Sequence, residues 1–407
     1  MKIGFVLEIF YPERNGIITT TINLAKNLVE MGHEVWFFVP ESKGFTEPVI
    51  ENGINIYYVK GIPVPIYKGI RIATESYEKL TRALKEIGIE ILHGTTPGFL
   101  GRTMNHVANM CDTPILATHH TLIDEPQYVK YVVKSDMFVS PATKIVWNEI
   151  YKPYFKRAWI STAPAEHTCQ SLRDHIPTLD VRFVSNGIDM SKFEEKKEKL
   201  PYPEAIPSGW VGDKTFIYVG RLGFEKSVDT IFKAFPKVIK AVPDAKFICI
   251  GGGPAENMLR DLIKENNLSD SVVMTGLVPN ETIIGSSILS ACRAFVTAST
   301  TENQAMTVIE ALCSGLPVVC ADVPNMTAIA DKDMGWLFKG GDVDDLADKM
   351  IEALTDERRD EKAKKAFSSR NRFDGRNVAA SFVEIYKELL KKKEEGWRPE
   401  DWNMLVL

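Results

Sequence analysis

The sequence predicts an α/β protein made of two doubly wound domains, each a mostly parallel sheet with helices on both faces. Three observations carry this. Short apolar runs alternate with amphipathic stretches through most of the 407 residues, the signature of repeated β-α-β units. A chain of this length can bury two substantial cores. A charged stretch, Lys192 to Lys199, followed by Pro201, Pro203 and Pro207, marks a linker near residue 200.

The first half supplies its elements in order. Lys2 to Leu7 reads as a buried strand. A loop from Glu8 to Gly16 leads into a helix over about 17–31, stopped by Gly32, and Glu34 to Val39 is the next strand. A helix is expected over about 70–87, a strand over 90–93, a helix over about 97–110 and a strand over 115–118. Further apolar runs at 137–140, 158–161 and 181–184 complete the domain. Between them, Tyr128, Lys130, Tyr131 and Lys134 lead into an expected helix carrying Lys144, Trp147, Tyr151, Lys152, Tyr154, Phe155, Lys156 and Arg157. Pro153 should kink or end that helix. Mixed aromatic and basic residues are the composition of interfacial membrane contact, and equally of core aromatics beneath a solvated basic face.

In such sheets ligands sit outside the carboxyl ends of the strands. Two loops of the first half fall there. One holds Asn15-Gly16, where a glycine opening a helix lets a ligand approach the backbone or simply makes a tight turn. The other is Thr118-His119-His120-Thr121. Neighbouring histidines diverge in direction and have no evident carboxylate partner, so a metal is not indicated.

The second half opens with strand 215–219 and the loop G-R-L-G-F-E-K, Gly220 to Lys226. An Arg fork and a Lys point charge at a strand end can clamp a diphosphate. Strand 246–250 ends in Gly251-Gly252-Gly253-Pro254, which lacks the spacing of a Walker loop. Strand 272–275 leads to Gly276-Leu277-Val278. The segment from Ala298 to Pro317 then reads strand, loop, short helix, strand, with Glu302 in the loop and Glu310 in the helix. At ~1.5 Å rise per residue the two carboxylates stand on the order of 12 Å apart. That is too far to share a proton or a metal, and it suits the two ends of one elongated polar ligand. The helix N-terminus between them, near Ala305, Met306 and Thr307, is an anion site. Sugar hydroxyls, a diphosphate and ribose hydroxyls fit that order. Asp342-Val343-Asp344 follows two glycines and opens a helix, so capping is its expected role. The last amphipathic helix covers about 378–395, with Trp397 and Trp402 as anchors beyond it.

Bulk properties exclude several classes. A formal net charge of −5 argues against a general nucleic-acid binder. The six cysteines have no C-x-x-C spacing, so neither a disulfide framework nor a zinc site is indicated. No apolar run approaches the ~20 residues of a membrane span, so any membrane contact is expected to be peripheral.

The S-N-G-I-D turn at 185–189, the G-R-L-x-x-E-K loop and the S-T-T-E-N-Q-A-M-T-V-I-E-A-L-C-S-G-L-P run, in this order, resemble the retaining glycosyltransferases of family 4. The resemblance spans nearly the whole chain. It implies the GT-B fold, two Rossmann-like domains facing a central cleft. Residues 1–200 would bind the acceptor and 201–375 the nucleotide sugar, with the tail 376–407 packing back on the first domain. It places His120 near the anomeric centre of the donor sugar, with His119 a bystander. Glu302 faces the sugar and Glu310 the ribose. Arg221, Lys226 and the helix N-terminus neutralise the departing diphosphate. Gly16, Gly252, Val278, Ala305, Met306 and Thr307 complete the donor contacts. Catalysis is expected from His120, Arg221, Lys226 and Glu302, with no cofactor and no catalytic metal.

Within the family, S-T-T-E-N-Q-A-M-T-V-I-E and H-H-T-L resemble the diacylglycerol glycosyltransferases. Those usually show E-T-Q-G-L-T and Y-H-T, so Asn303, Ala305 and His119 depart from the pattern. The implied reaction moves a hexose, glucose foremost, from a nucleotide-diphosphate sugar such as UDP-glucose to a diacylglycerol-type lipid, forming an α-glycosidic bond. Tyr128, Lys130, Lys152, Lys156 and Arg157 are the expected acceptor or membrane contacts, on a cytoplasmic protein lying peripherally on an anionic inner membrane face. The rivals are a soluble or polyprenyl-linked saccharide acceptor and a non-catalytic nucleotide-binding protein of the same fold.

Overall fold

The computed structural model describes residues 1–10, 16–41, 50–51, 53–64, 70–120, 141, 143–194, 199–400 and 402. The chain divides into two compact units, Met1–Ile188 with Gly375–Leu407, and Asp189–Asp374.

The first unit is built on an eight-stranded sheet in the order β10-β9-β8-β7-β1-β2-β4-β3. Its strands include β1 (Lys2–Val6), β2 (Glu34–Pro40), β7 (Ile91–Gly94), β8 (Ile115–Thr118) and β9 (Ile160–Ala163), with β10 (Val181–Phe183) at one edge. The other edge is β3 (Ile50–Glu51), antiparallel to β4 (Ile54–Val59); every other pairing is parallel. The helices that matter here are α1 (Gly16–Glu30), α2 (Tyr77–Ile87), α3 (Phe99–Met110) and α4 (Lys152–Phe155). Strands β1, β7, β8 and β9 are buried almost throughout, as parallel strands covered on both faces must be.

The helix expected over 70–87 forms only in its second half. Residues 71–73 instead make β6 (Arg71–Ala73), antiparallel to β5 (Gly61–Pro63). The alternation Ile70, Ile72, Thr74 places β-branched side chains where a strand tolerates them better than a helix. Helix α2 starts where Ser76 can cap it, accepting from the Lys79 amide at 3.3 Å. Strand β4 is absent from the sequence-based expectation. The run 137–140 lies outside the described residues.

Pro153 neither ends nor interrupts the helical segment in which it sits. Residues Trp147–Tyr151 adopt a π-helical turn, and α4 continues through Phe155 with Pro153 near its start. In an α register Pro153 would owe an N–H to the Glu149 carbonyl. Arg102 Nη1 donates to that carbonyl instead, at 3.2 Å.

The second unit carries a fully parallel six-stranded sheet, β13-β12-β11-β14-β15-β16. The strands are β11 (Thr215–Val219), β12 (Lys246–Ile250), β13 (Val272–Gly276), β14 (Ala294–Val296), β15 (Val318–Ala321) and β16 (Gly335–Phe338). The strand order reverses at β11, whose neighbours are β12 and β14. Two helices recur below, α5 (Met306–Cys313) and α6 (Val343–Thr355). Asp342 caps α6, accepting from the amides of Asp344 and Asp345 at 3.2 and 3.1 Å.

The chain enters the second unit at Asp189, ahead of the boundary expected at 200. The proline-containing segment does not hang free: the Leu200 amide donates to Gly285 O at 3.0 Å, and Ile206 is buried. The return at Gly375 runs beside the exit at Ile188, with Gly375 N donating to Ile188 O at 2.9 Å. A Cβ on Gly187 would stand 2.7 Å from Gly375 Cα. Close passage of the two segments therefore accounts for the glycine in S-N-G-I-D.

Helix α7 (Gly375–Glu394) belongs to the first unit and packs on α1, β7 and β8. Tyr386 Oη meets His93 Nδ1 at 2.8 Å, and His93 Nε2 meets Thr118 Oγ1 at 2.6 Å, so this buried histidine is fully engaged in the core. Arg182 forks onto Glu388 at 2.6 and 2.7 Å. Beyond the helix, Trp397 and Trp402 pack edge-on against buried Trp159, at 5.5 and 5.3 Å between centroids.

Candidate active site

The expected donor residues of the second unit lie at the carboxyl ends of β11, β12, β13 and β14, around the point where the strand order reverses. In an open parallel sheet that is where a crevice forms.

After β11 the chain turns through Gly220 to Lys226. Arg221 Nη2 donates to Glu225 Oε1 at 2.5 Å, and the Glu225 side chain is almost wholly buried while Arg221 is about half exposed. Glu225 was not among the expected site residues, although it is the acid of the G-R-L-x-x-E-K motif. Its backbone carbonyl accepts from Ser299 Oγ at 3.2 Å, which ties this loop to the one after β14. The i,i+4 spacing from Arg221 was the available signal.

Lys226 Nζ pairs with the Glu302 carboxylate, and each side chain is 19% exposed. Two residues expected at different parts of one ligand therefore touch each other. The Glu302 loop is held from behind by buried Asn325, whose Nδ2 donates to Glu302 O and to Thr300 O at 2.5 and 3.4 Å. Asn325 is the second residue of the short helix after β15 (Pro324–Thr327), far from any motif, and sequence reasoning had no handle on it.

Helix α5 begins at Met306 after Ala305, which offers no side-chain cap. The first-turn amides at Met306 and Thr307 thus lack an intrahelical acceptor. Glu310, half-buried in the same helix, accepts from Asn280 Nδ2 at 3.3 Å. Asn280 starts the helix that follows Gly276-Leu277-Val278-Pro279, so it joins the Val278 loop to Glu310. Burial pushes the Glu310 carboxyl up to about 7, partly offset by the Asn280 hydrogen bond and the Lys192 charge.

The triple glycine has a reason internal to the protein. A Cβ on Gly251 would stand 1.8 Å from Gly220 O, and one on Gly253 2.5 Å from Leu222 O. Backbone crowding between these two loops demands glycine at both ends of the triplet. A Cβ on Gly252 in the middle would meet only side chains, those of Leu277 at 3.2 Å, itself 85% exposed, and Glu256 at 3.8 Å.

In the first unit, His120 follows β8 at its carboxyl end and is half-buried. Burial lowers its pKa to about 4, so the ring is neutral near pH 7. His119 is a core residue, edge-on to Tyr151 and Phe155 at 5.2 Å each, with its amide donating to Thr162 O at 2.8 Å. Gly16 opens α1, and nothing lies within 4 Å of where its Cβ would be. Among the described residues no neighbour requires a glycine there.

Sequence reasoning took Glu8 only as the first residue of a loop. It is buried just beyond β1, and its Oε1 accepts from the Gly101 amide at 2.5 Å, at the N-terminus of α3. Burial raises this carboxyl to about 7 despite the helix amides that favour its charge. A Glu ending a buried strand is the signal that could have marked it.

The expected membrane segment needs correcting. Trp147, Tyr151, Tyr154, Phe155 and Trp159 are all buried in the core, and Arg157 is only 6% exposed. These aromatics fill the space between β8, β9 and α3 and are not presented to a bilayer. Lys152 and Lys156 are half-buried. Tyr128 and Lys130 lie outside the described residues.

Among the described residues no group of three or more His, Cys, Asp or Glu side chains is arranged to hold a metal, and no helix is long and apolar enough to cross a membrane.

Residues 14–192 match the family model Glycosyltransferase Family 4, and residues 206–370 match Glycosyl transferases group 1. The alpha-monoglucosyldiacylglycerol synthase of Streptococcus pneumoniae is 28% identical over 87% of this chain and 78% of its own. The enzyme of the same name from Acholeplasma laidlawii is 26% identical over 78% of this chain and 80% of its own. Among solved structures, HepE of Anabaena in complex with UDP-glucose superposes with a TM-score of 0.70 at 16% identity, covering 95% of this chain and all of the other. Two successive family models, in the order of the two units, and a shared architecture lead to one assignment: the chain is a glycosyltransferase of family 4 with the GT-B fold.

Proposed function

We propose that this protein is a retaining hexosyltransferase that moves glucose from a nucleotide-diphosphate sugar to a diacylglycerol-type lipid. The observation that carries the donor half is the pairing of Lys226 with Glu302 beside the open N-terminus of α5, with Glu310 held by Asn280 in that same helix. A cation, free amides and two separated carboxylates are the groups an extended nucleotide sugar needs. The lipid half is supported by the two relatives named as alpha-monoglucosyldiacylglycerol synthases.

On this reading Glu310 accepts hydrogen bonds from the ribose hydroxyls and Glu302 from the sugar. The Lys226 ammonium has three donors, so it bridges Glu302 and the diphosphate. Arg221, braced by Glu225, offers its remaining donors to the same group. The C1–O bond to the diphosphate breaks, and charge gathers on the departing oxygen. Lys226, Arg221 and the α5 amides stabilise that charge more than they stabilise the intact donor, which lowers the barrier. The acceptor hydroxyl attacks C1 from the face the diphosphate leaves, and its proton passes to the leaving phosphate oxygen. Neutral His120 contacts the sugar near C1. Gly16 leaves room for ligand against the α1 backbone, and Gly252 and Val278 line the nucleotide end. No metal enters the reaction, and the enzyme meets its lipid peripherally at the inner face of the cell membrane.

The test is a screen of labelled nucleotide sugars against diacylglycerol in mixed micelles and against soluble saccharides, with donor hydrolysis measured alongside. Transfer to diacylglycerol supports the reading. Faster transfer to a soluble acceptor overturns the lipid assignment, and donor binding without hydrolysis or transfer to any acceptor overturns catalysis itself.

A further inference from the structure

We propose that Asn325 is a positioning residue for sugar recognition: its side-chain amide fixes the loop that carries Glu302, and so sets where the Glu302 carboxylate meets the donor sugar. The inference rests on the donor reading above and concerns the second unit alone.

Residues 297–305 join β14 to α5 and lie in no helix or strand. No ladder of main-chain bonds holds such a stretch, so its conformation depends on the groups that reach it. Its entry is tied down early. Thr297 N donates to Val319 O at 3.0 Å, and Ser299 Oγ to Glu225 O at 3.2 Å. Glu302 lies three residues further on, and there the amide of Asn325 reaches the chain. Its Nδ2 donates to Glu302 O at 2.5 Å and to Thr300 O at 3.4 Å. These carbonyls flank Thr301, so one side chain clamps the three residues that end in Glu302.

The clamp stands on a rigid support. The short helix Pro324–Thr327 starts with proline, whose fixed φ suits a first helical position. The Met326 and Thr327 amides donate to Val323 O at 2.9 and 3.0 Å. Met326 and Ile329 are buried, and Asn325 itself is only 6% exposed.

Asparagine fits this place, and its near neighbours in shape do not. A carbonyl oxygen accepts and never donates, so each partner must bring a hydrogen. An amide nitrogen carries two, one for each carbonyl. Aspartate has the same outline but offers only acceptors when ionised, and it would set a charge against two oxygens. Glutamine would force one more methylene into a buried site.

The consequence falls on the sugar. The Glu302 carboxylate pairs with Lys226 Nζ at its tip, and its backbone is held by Asn325. Fixed at both ends, it presents one orientation of acceptor lone pairs to a sugar hydroxyl. Freed at the backbone, the same carboxylate samples other orientations, and the contact weakens. At the ribose end, Glu310 is held by Asn280, without help from Asn325.

The test measures Kd for UDP and for UDP-glucose by calorimetry on the full chain. The proteins are wild type, Asn325→Asp, Asn325→Ala, Glu302→Ala, and Glu302→Ala combined with Asn325→Ala. The readout is the ratio of Kd for UDP to Kd for UDP-glucose, which isolates the sugar because both ligands share the nucleotide end. UDP binding also shows that each variant is folded. The ratio should fall about tenfold in Glu302→Ala and in both single Asn325 variants, the loss of a hydrogen bond to a charged group. In the Glu302→Ala background, Asn325→Ala should lower it no further, because a residue that acts through another is not additive with it. An unchanged ratio in the single Asn325 variants, an equal loss of UDP and UDP-glucose, or a further fall in the double variant overturns the proposal. A lowered ratio in Glu302→Ala but not in the single Asn325 variants overturns the proposal alone. If Glu302→Ala itself leaves the ratio unchanged, the sugar role of Glu302 in the donor reading fails, and the proposal with it.

Discussion

Glu310 offers a direct reading of donor recognition through pH. A ribose diol donates hydrogen bonds, which a carboxylate accepts more strongly than a carboxylic acid does. In the free protein burial pushes the Glu310 carboxyl up to about 7. The charged fraction is then about one-eleventh at pH 6 and about ten-elevenths at pH 8, so donor affinity should rise about tenfold over that interval, ~1.4 kcal/mol. The sign is fixed: the charged form binds the donor more strongly, so Kd falls as pH rises. A nucleotide-diphosphate sugar keeps its charge across this range because its diphosphate is doubly esterified. His120, held at about 4, contributes nothing to the window. The assay is calorimetric titration with UDP-glucose from pH 5.5 to 8.5. Asn280→Ala removes a hydrogen bond that favours the charged form, so its midpoint should move to higher pH. Glu310→Gln should abolish the slope and weaken binding at pH 8 by about tenfold or more, the loss of hydrogen bonds to a charged group. A pH-independent wild-type affinity, or the same slope in Glu310→Gln, would refute the assignment.

Arg221→Ala and Lys226→Ala should each lower kcat about a hundredfold while circular dichroism shows an unchanged fold, as lost donors to a developing oxyanion do; normal turnover in both would remove the diphosphate role. Glu8 is buried and its carboxyl is raised from 4.5 to about 7, so the folded state holds its proton more tightly than the unfolded chain. Stability should therefore fall as pH rises from about 4.5 to 7, by on the order of 3 kcal/mol from this residue. Glu8→Gln should remove that part, which urea unfolding at pH 5 and pH 8 followed by tryptophan fluorescence would detect; equal pH dependence in both proteins contradicts the burial argument. Transfer activity should persist in excess EDTA, since the Asp342 carboxylate is engaged in capping α6; complete loss restored by Mn²⁺ would reopen the metal question.

Much of the fold was legible because parallel strands buried on both faces read as continuous apolar runs, and each was followed by a helix with its own periodicity. The strands after which the donor residues sit were of this kind. What failed was local or tertiary. The β5–β6 hairpin hid in a stretch whose apolar residues also fit a helix. Pro153 was tolerated because Arg102, distant in sequence, serves the carbonyl it leaves open. Arg157 and the aromatics near it carry the composition of a membrane contact, and only packing against β8, β9 and α3 decides that they are core. In the site, Arg221, Lys226, Glu302 and Glu310 stood out because their spacing already specified loop and helix positions. Glu225, Asn325 and Asn280 did not, because each acts by holding another residue, and such a role is written in contacts across strands.

The most direct test of the account is the anomeric outcome of transfer to lipid. Purified protein is incubated with labelled UDP-glucose and diacylglycerol micelles, and the glycolipid product is examined by the coupling constant of its anomeric proton. The account expects an α-glucosyl diacylglycerol, formed by wild type and strongly diminished in Lys226→Ala. A β-linked product would contradict retention, and label found only on a water-soluble acceptor would contradict the lipid assignment.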